Sequence, residues 1–254
     1  MSDVETPILP EMTSAWQELG WQPSAEQRSQ FQHLYELVVA GNRQLNLTRN
    51  TDPSEFWEKH LWDSLRGIAP LLKSEFKPDG APAELSGQRV VDIGTGAGFP
   101  GIPVAIAQPD WTVTLLDSTY KKIAFLQTLL TTLGISNAIT LTNRAEQAGQ
   151  HPEHRETYDI ALIRAVGPAS VCAEYALPLL KMGGVAVLYR GQWTEDEMVA
   201  FQPVVERLGG QIESIEGFTT PLSQSMRHCL YLRKTQPTPV EFPRPTGLPA
   251  QHPL

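Results

Sequence analysis

Residues 90–101, which read VVDIGTGAGFPG, carry the clearest chemical signal in this chain. An apolar strand that runs into closely spaced glycines brings backbone near a ligand, because Gly94, Gly96 and Gly98 can adopt φ > 0 and have no Cβ. Asp117 ends the next apolar run. A carboxylate at that point of a second strand can accept hydrogen bonds from the hydroxyls of a ribose. The order strand, turn, helix, strand and acid therefore predicts a ribose-bearing ligand.

Two classes of ribose-bearing ligand remain open from this pattern. The motif G-x-G-x-x-G, which serves a dinucleotide pyrophosphate, fits in a shifted frame at residues 96–101. Asp92 favours S-adenosylmethionine instead, because an acid there would repel a pyrophosphate but could hold a sulfonium or an amino group. Pro100 and Pro103 also remove two N–H groups that an anion would need.

Composition narrows the class of protein. With 254 residues, of which 41% are hydrophobic, the chain can hold one large α/β domain and a smaller appendage. A net charge of −8 argues against a general polyanion binder. Cys172 and Cys229 lie far apart and the six histidines lack His-x-x-x-His spacing, so we expect neither a disulfide nor a metal site. The start of the chain lacks a secretory pattern and no apolar run spans a bilayer, which predicts a cytoplasmic protein without a membrane partner.

The elements that must position these residues follow from periodicity. Apolar spacing predicts helices at residues 12–20 and 25–41, with a stop at Gly41, and a third helix that Asp52 caps before Pro53. Five strands are predicted at residues 90–93, 112–116, 138–141, 160–163 and 185–189. Crossover helices are predicted at residues 120–133 and 169–180. A terminal pair of strands is predicted at residues 211–216 and 229–232. This alternation predicts an α/β fold with a doubly wound, mostly parallel, Rossmann-like sheet of seven strands.

The same pattern divides the chain into four parts. We predict an N-terminal helical cap (residues 1–72), a loop (73–89), a main ligand-binding domain (90–234) and a proline-rich C-terminal tail (235–254). Because of its prolines, the tail is expected to be extended rather than packed, and whether it folds back over the ligand site or contacts RNA stays open.

Motifs along most of the chain resemble a known family. The segments that carry the resemblance are residues 46–48, His60 with residues 63–64, and residues 92–101, 116–118, 121–122, 125–126, 143–146, 164–165, 190–191 and 242–249. Over about residues 40–254 the chain is similar to the glucose-inhibited division protein B family, also called RsmG. The resemblance implies a bacterial enzyme with the S-adenosylmethionine-dependent methyltransferase fold. It also implies transfer of a methyl group to N7 of one guanine in the decoding-region hairpin of 16S ribosomal RNA.

The resemblance also implies roles for individual residues. The expected cofactor contacts are Gly94, Gly96, Phe99, Asp117, Ser118, Thr119, Ala145, Glu146 and Arg164. No residue is assigned as catalytic, because guanine N7 already presents a lone pair and needs no general base. The candidates for a catalytic role are His60, Asp63, Arg164 and Arg190, the last of which stands where the family is expected to have lysine. Two interpretations stay open for His60 and Asp63, which lie one helical turn apart: contact with the target base or its phosphates, or attachment of the helical cap to the sheet.

The expected partner is 16S rRNA within an assembling small ribosomal subunit, bound by a monomer. Local positive charge would have to offset the acidic total, and the candidates for a basic rim are Lys59, His60, Arg66, Lys121, Lys122, Arg164, Arg190, Arg227, Arg233 and Arg244. Three alternative functions stay open from the residues alone: a dinucleotide-dependent oxidoreductase, a methyltransferase for a small molecule, and an RNA-binding protein without activity.

Overall fold

The computed structural model describes residues 7–72 and 87–254. Most of the predicted loop, residues 73–86, therefore lies outside the described residues. Helices dominate before this gap and a single sheet dominates after it. Within the two described ranges, no helix is both long and apolar enough to cross a membrane.

The N-terminal part contains the helices α1 (Thr13–Glu18), α2 (Ala25–Leu45), α3 (Pro53–Phe56), α4 (Asp63–Arg66) and α5 (Ala69–Leu72). Helix α2 begins with a capping box between Ser24 and Gln27. The predicted stop at Gly41 is wrong, because α2 continues to Leu45 and ends where Asn46 takes a left-handed conformation. Gly41 instead allows close packing: a Cβ at this position would lie 2.4 Å from Cε2 of Phe125.

A π-helical segment, Trp57–Trp62, joins α3 to α4 in one continuous helical run. The predicted cap is confirmed, since the Asp52 side chain accepts hydrogen bonds from the N–H groups of Ser54 and Glu55. Segments of π-helix are rare and occur often at functional sites. This one buries Trp57, Leu61 and Trp62 in the interior.

The seven-stranded sheet has the order β3-β2-β1-β4-β5-β7-β6. Its strands are β1 (Arg89–Ile93), β2 (Thr112–Asp117), β3 (Ala138–Thr142), β4 (Tyr158–Arg164), β5 (Leu180–Arg190), β6 (Gly210–Thr219) and β7 (Met226–Lys234). The first five are parallel, whereas β7 runs antiparallel to β5 and β6. This confirms the doubly wound fold. The strand order reverses between β1 and β4, and such a switch point opens a ligand crevice at the carboxyl ends of the strands.

Helices cover both faces of this sheet. They are α6 (Gly101–Ala107), α7 (Tyr120–Leu133), α8 (Ala145–Gln150), α9 (Ala169–Ala176) and α10 (Glu195–Arg207), followed at the chain end by the short α11 (Leu248–Gln251). The predicted helix at residues 169–180 is shorter than expected, because a 3₁₀ turn (Leu177–Leu179) ends it and β5 starts at Leu180.

The cap and one face of the sheet share a continuous hydrophobic core. Leu34 and Leu65 of the cap belong to the same buried cluster as Val113 and Tyr189 of the sheet. Tyr189 also donates a hydrogen bond from its hydroxyl to Ser64 O at 2.7 Å. The cap is thus packed into the fold, and a second cluster fills the opposite face of the sheet.

The C-terminal tail is packed, so the expectation of an unpacked tail is wrong. Phe242 is 1% exposed and belongs to the second core cluster. Arg244 forms an ion pair with Glu174, a carboxylate that is fully buried. Composition alone indicated an extended segment, but one aromatic ring and one arginine fix its course over α9.

Candidate functional site

The glycine loop follows β1 and folds back on the end of β2. The N–H groups of Gly94 and Thr95 donate to Leu116 O at 2.8 and 3.0 Å. Gly94 has φ of 72°, and a Cβ there would lie 2.5 Å from Cγ2 of Val166. Only glycine fits this position, which keeps backbone exposed at the edge of the sheet.

Asp92 lies beneath this loop and is fully buried. Its Oδ2 accepts hydrogen bonds from Thr95 Oγ1 at 2.6 Å and from the Gly101 N–H at 2.8 Å. Burial raises the pKa of this carboxyl to about 6, although those two hydrogen bonds oppose the shift. Its Oδ1 has no hydrogen-bond partner among the described residues. Oδ2 therefore holds the loop by hydrogen bonds, whereas Oδ1 is a buried acceptor that no described donor satisfies.

Asp117 ends β2, as its place in the sequence predicts. Its Oδ2 accepts from the Gly96 N–H at 3.1 Å, and its Oδ1 accepts from the Thr119 N–H at 2.8 Å. Lys122 Nζ lies 3.9 Å from Oδ2. The carboxylate thus connects the glycine loop to the start of α7, at the point where a ribose would be bound.

A pocket of about 360 Å³ opens beside these groups, at the carboxyl ends of the parallel strands. Its volume falls in the range of sites for small ligands. Six of the residues expected to contact a cofactor line it: Gly94, Asp117, Ser118, Thr119, Ala145 and Glu146. The lining also includes residues that the sequence did not single out, namely Val166, Gly167, Pro168, Val171, Tyr175 and Ala250. They come from the turn between β4 and α9, from α9 and from the tail, and no local motif identifies them.

Glu146 is buried at one end of the pocket. Its Oε1 accepts hydrogen bonds from the Gly247 N–H at 2.9 Å and the Tyr175 hydroxyl at 3.1 Å, and Arg144 lies 3.3 Å away. Burial opposes its charge, but Gly247 and Arg144 outweigh burial and hold its pKa below the usual value. The carboxylate is therefore charged at neutral pH, and it contacts the tail, α9 and Arg144.

Of the other three expected cofactor contacts, Gly96 donates its N–H to Asp117, whereas Phe99 and Arg164 lie at the junction of cap and sheet, outside the lining of the pocket. The ring of Phe99 stacks on His60, with 4.5 Å between centroids and 16° between planes. His60 Nε2 lies 2.7 Å from Thr48 Oγ1. Burial first, and then the positive charges of Arg164 and Lys59, lower the pKa of His60 to about 3. His60 is therefore neutral at physiological pH and adds no charge to a basic rim.

Arg164 ends β4 and holds the cap. Its Nη1 donates to Lys59 O at 2.7 Å and to Asp63 Oδ2 at 2.8 Å, and its Nη2 lies 3.4 Å from His60 Nδ1. Because an arginine can only donate, His60 Nδ1 is the acceptor and Nε2 carries the hydrogen. The next residue, Ala165, has φ of 56°, which is uncommon outside glycine. The backbone then turns to bring Val166 to the pocket.

Arg190 ends β5 on the other side of β4. Its Nη1 donates to Gly167 O at 2.7 Å, and its guanidinium lies 6.0 Å from the ring centroid of Trp193. Gly167 lines the pocket, so Arg190 contacts the back of a pocket wall. The sequence alone could place Arg190 at the carboxyl edge but could not give this partner.

The predicted basic rim is only partly assembled. Arg66, Arg233 and Arg244 form ion pairs with glutamates, and Arg233 lies toward the amino edge of the sheet, where its register partner is Val185. Lys121 and Arg227 form no ion pair with the part of the chain that the structure describes. The rim at the carboxyl edge is therefore smaller than the count of cations suggests.

A separate group of polar side chains lies at the amino edge of the sheet. His151, Glu153 and His154 place one ligand-type atom each within 4.8 Å of one another. His154 Nδ1 lies 3.0 Å from the hydroxyl of Tyr158, which begins β4. The expectation of no metal site rested on helical spacing, whereas these residues meet in a turn. The group lies on the opposite edge of the sheet from the pocket.

Comparison with known proteins gives consistent matches. A family model described as rRNA small subunit methyltransferase G (GidB) matches residues 27–228. The ribosomal RNA small subunit methyltransferase G of Nostoc punctiforme is 63% identical over 250 residues, covering 98% of this chain and all of that protein. The protein of the same name from Trichormus variabilis is 60% identical over 251 residues, with the same two coverages. Among solved structures, M. jannaschii TYW2 in complex with AdoMet has a TM-score of 0.48 at 16% identity, over 59% of this chain and 69% of that one.

Proposed function

The chain belongs to the GidB family, rRNA small subunit methyltransferase G, and from this membership we propose that it transfers a methyl group from S-adenosylmethionine to N7 of one guanine in 16S rRNA. The observation that carries the proposal is 63% identity to a methyltransferase of that name over the full length of both chains.

The pocket has the groups that S-adenosylmethionine requires. Asp117, at the end of β2, suits the two hydroxyls of a ribose. Asp92 is fully buried and lies outside the lining of the pocket, but its Oδ2 accepts the Gly101 N–H at the start of α6, so that this amide is not free to bind a pyrophosphate. Gly94 lets the loop pack closely against Val166 in the wall of the pocket. These features support S-adenosylmethionine over a dinucleotide.

When bound, this cosubstrate supplies an electrophilic methyl group. The protein then has to hold the target guanine in line with it, and this positioning removes much of the entropic cost of a bimolecular step. Guanine N7 needs no base, in keeping with a neutral, half-buried His60 and an Asp63 that is paired with Arg164. The carboxylate of Asp63 would stabilise the positive charge that develops on the guanine.

The RNA approaches across the carboxyl edge of the sheet. Cations at this edge include the exposed Lys121, Arg227 at the start of β7, and Arg144, whose side chain is 44% exposed but pairs with Glu146. Because few cations lie at this edge and the net charge of the chain is −8, we expect weak affinity for free RNA. We infer that a monomer acts in the cytoplasm on 16S rRNA within an assembling small subunit, where shape and ribosomal proteins add specificity.

A methyl-transfer assay tests this proposal. Labelled S-adenosylmethionine is incubated with the protein and with small subunits from a bacterium that lacks the enzyme. We expect label in 16S rRNA as 7-methylguanine, and more label with particles than with a naked hairpin. Label at another position, or in no RNA, would contradict the assignment.

The variant Asp117→Asn tests the cofactor site in the same assay. It keeps the shape of the side chain but weakens its acceptance of ribose hydroxyls, so we expect KM for S-adenosylmethionine to rise about tenfold or more. The matched control is Asp110→Asn, which changes a charge in the turn before β2, away from the pocket. Equal KM values for the two variants would argue against a role for Asp117 in binding.

A further inference from the structure

The C-terminal segment contacts the pocket at two points. Ala250 lies among its lining residues. The Gly247 N–H donates to Glu146 Oε1 at 2.9 Å, and Glu146 is itself a lining residue. A segment that is remote in sequence therefore contributes directly to the end of the pocket formed by Glu146 and Tyr175.

An ion pair fixes the course of this segment. Glu174 on α9 is fully buried, and its two oxygens accept from Arg244 Nε at 2.9 and 3.1 Å, from Nη2 at 2.7 Å and from the Arg244 N–H at 2.8 Å. Such a fork is strong and directional. A buried carboxylate is also strongly destabilising without its partner, so Glu174 holds Arg244 in place.

A second anchor lies just before Arg244. The Phe242 side chain is buried in the core, and its carbonyl accepts from Arg155 Nη1 at 2.7 Å. Arg155 Nη2 donates to Thr238 O at 2.8 Å. Gly149 of α8 makes room for the segment, since a Cβ there would lie 2.7 Å from Pro243. The segment is thus held from α8, α9 and the 151–155 turn.

These contacts separate into two groups along the chain. Residues 242–244 anchor the segment, and they lie outside the lining of the pocket. Residues 247–250 follow the anchor and reach Glu146 and the pocket. Removal of the second group can therefore leave the first intact.

Resting on the proposed function, we propose that residues 247–250 form one wall of the cofactor site and that Arg244 is a positioning residue for cofactor binding. The wall shields the Glu146 end of the pocket from water and fixes the Glu146 carboxylate. Binding and ordering are then linked in both directions: a ligand that contacts the wall also holds the tail in place.

Two truncated chains test the proposal. A chain that ends at Thr246 loses the Gly247 N–H and Ala250 but keeps Phe242 and Arg244. A chain that ends at Gln251 keeps every one of these residues and serves as the matched control. Binding of S-adenosylhomocysteine is measured by calorimetry, and thermal unfolding of each chain without ligand reports folding.

We expect the chain ending at Thr246 to bind about tenfold more weakly, since it loses one hydrogen bond and one apolar contact. The chain ending at Gln251 should bind within about twofold of the full chain. Arg244→Lys, which keeps the charge but loses the fork, should raise KM for S-adenosylmethionine without lowering kcat.

Hydrogen exchange gives a readout that does not depend on activity. In the full chain, S-adenosylhomocysteine should slow exchange of the Gly247 amide. Unchanged affinity of the chain ending at Thr246, or unchanged exchange at Gly247, would overturn the proposal. No binding by the full chain would overturn the proposed function and this inference with it, whereas binding by the full chain and by both truncations alike would overturn only the inference.

Discussion

At the scale of single residues, Asp92 carries a charge that folding disfavours. Complete burial raises its pKa to about 6, against the opposing hydrogen bonds from Thr95 and Gly101. In the unfolded chain the same carboxyl ionises near pH 4. As pH rises from about 4 to about 6, the unfolded state loses its proton first, so the contribution of Asp92 to stability falls across this window and is constant above it.

Asp92→Asn removes this titration. The amide oxygen of the asparagine can take the place of Asp92 Oδ2 and still accept from the Gly101 N–H. We expect the variant to gain stability relative to the unmodified protein as pH rises, by about 1 kcal/mol between pH 5 and pH 7.5. Urea unfolding at the two pH values measures the difference. Parallel pH curves for the two proteins would mean that Asp92 does not titrate in this window.

At the scale of elements, the contact between cap and sheet depends on small residues where rings approach the backbone. Gly67, which follows α4, lies against the buried ring of Tyr189 on β5: a Cβ would come within 2.3 Å of that ring. The ring cannot move away easily, because its hydroxyl is bonded to Ser64 O.

Gly67→Ala is therefore expected to lower the free energy of unfolding by about 1–3 kcal/mol, the usual cost of overpacking. Gly191→Ala is the matched control, since nothing lies within 4 Å of a Cβ at that position. Denaturant unfolding compares the two. Equal midpoints would show that the cap and β5 can shift apart to accept a methyl group.

The same contacts explain which elements the sequence could predict. Strands β1 to β5, the terminal pair and the Asp52 cap follow from local patterns of apolar and capping residues, and the structure confirms them. The predicted helix end at Gly41 was wrong because a glycine that ends a helix cannot be distinguished in sequence from one that makes room for a neighbouring ring, here that of Phe125. The prediction of an unpacked tail was wrong for a different reason. Prolines favour extended backbone, and the buried Glu174 that holds Arg244 lies 70 residues earlier in the chain.

For the candidate site, the local part was predictable and the long-range part was not. Gly94, Asp117 and Glu146 occur in motifs and line the pocket. Phe99 and Arg164 were expected beside them, but they contact His60, Lys59 and Asp63 of the cap. The packing of cap against sheet decides where these side chains point, and a single-sequence pattern holds no information on that packing.

At the scale of the whole molecule, the shared core predicts that cap and sheet unfold together. One cluster contains Trp16 and Leu34 of the cap with Val113 and Tyr231 of the sheet, so neither part can lose its structure without exposing the core of the other. Trp16, Trp21, Trp57 and Trp62 lie in the cap, which makes tryptophan fluorescence mostly a probe of the cap. Far-ultraviolet circular dichroism reports the helices and the sheet together.

We expect the two signals to give one coincident transition in urea. Leu34→Ala, at a fully buried position of α2, should destabilise the protein by about 2–5 kcal/mol and move both transitions equally, because the cavity weakens the common core. Val199→Ala, on the exposed face of α10, is the control and should leave both in place. A fluorescence transition that precedes the dichroism transition in the Leu34 variant would show that the cap unfolds alone. The junction of Arg164, Asp63 and His60 would then be a hinge, and the pocket behind Val166 would lose its fixed wall before the sheet unfolds.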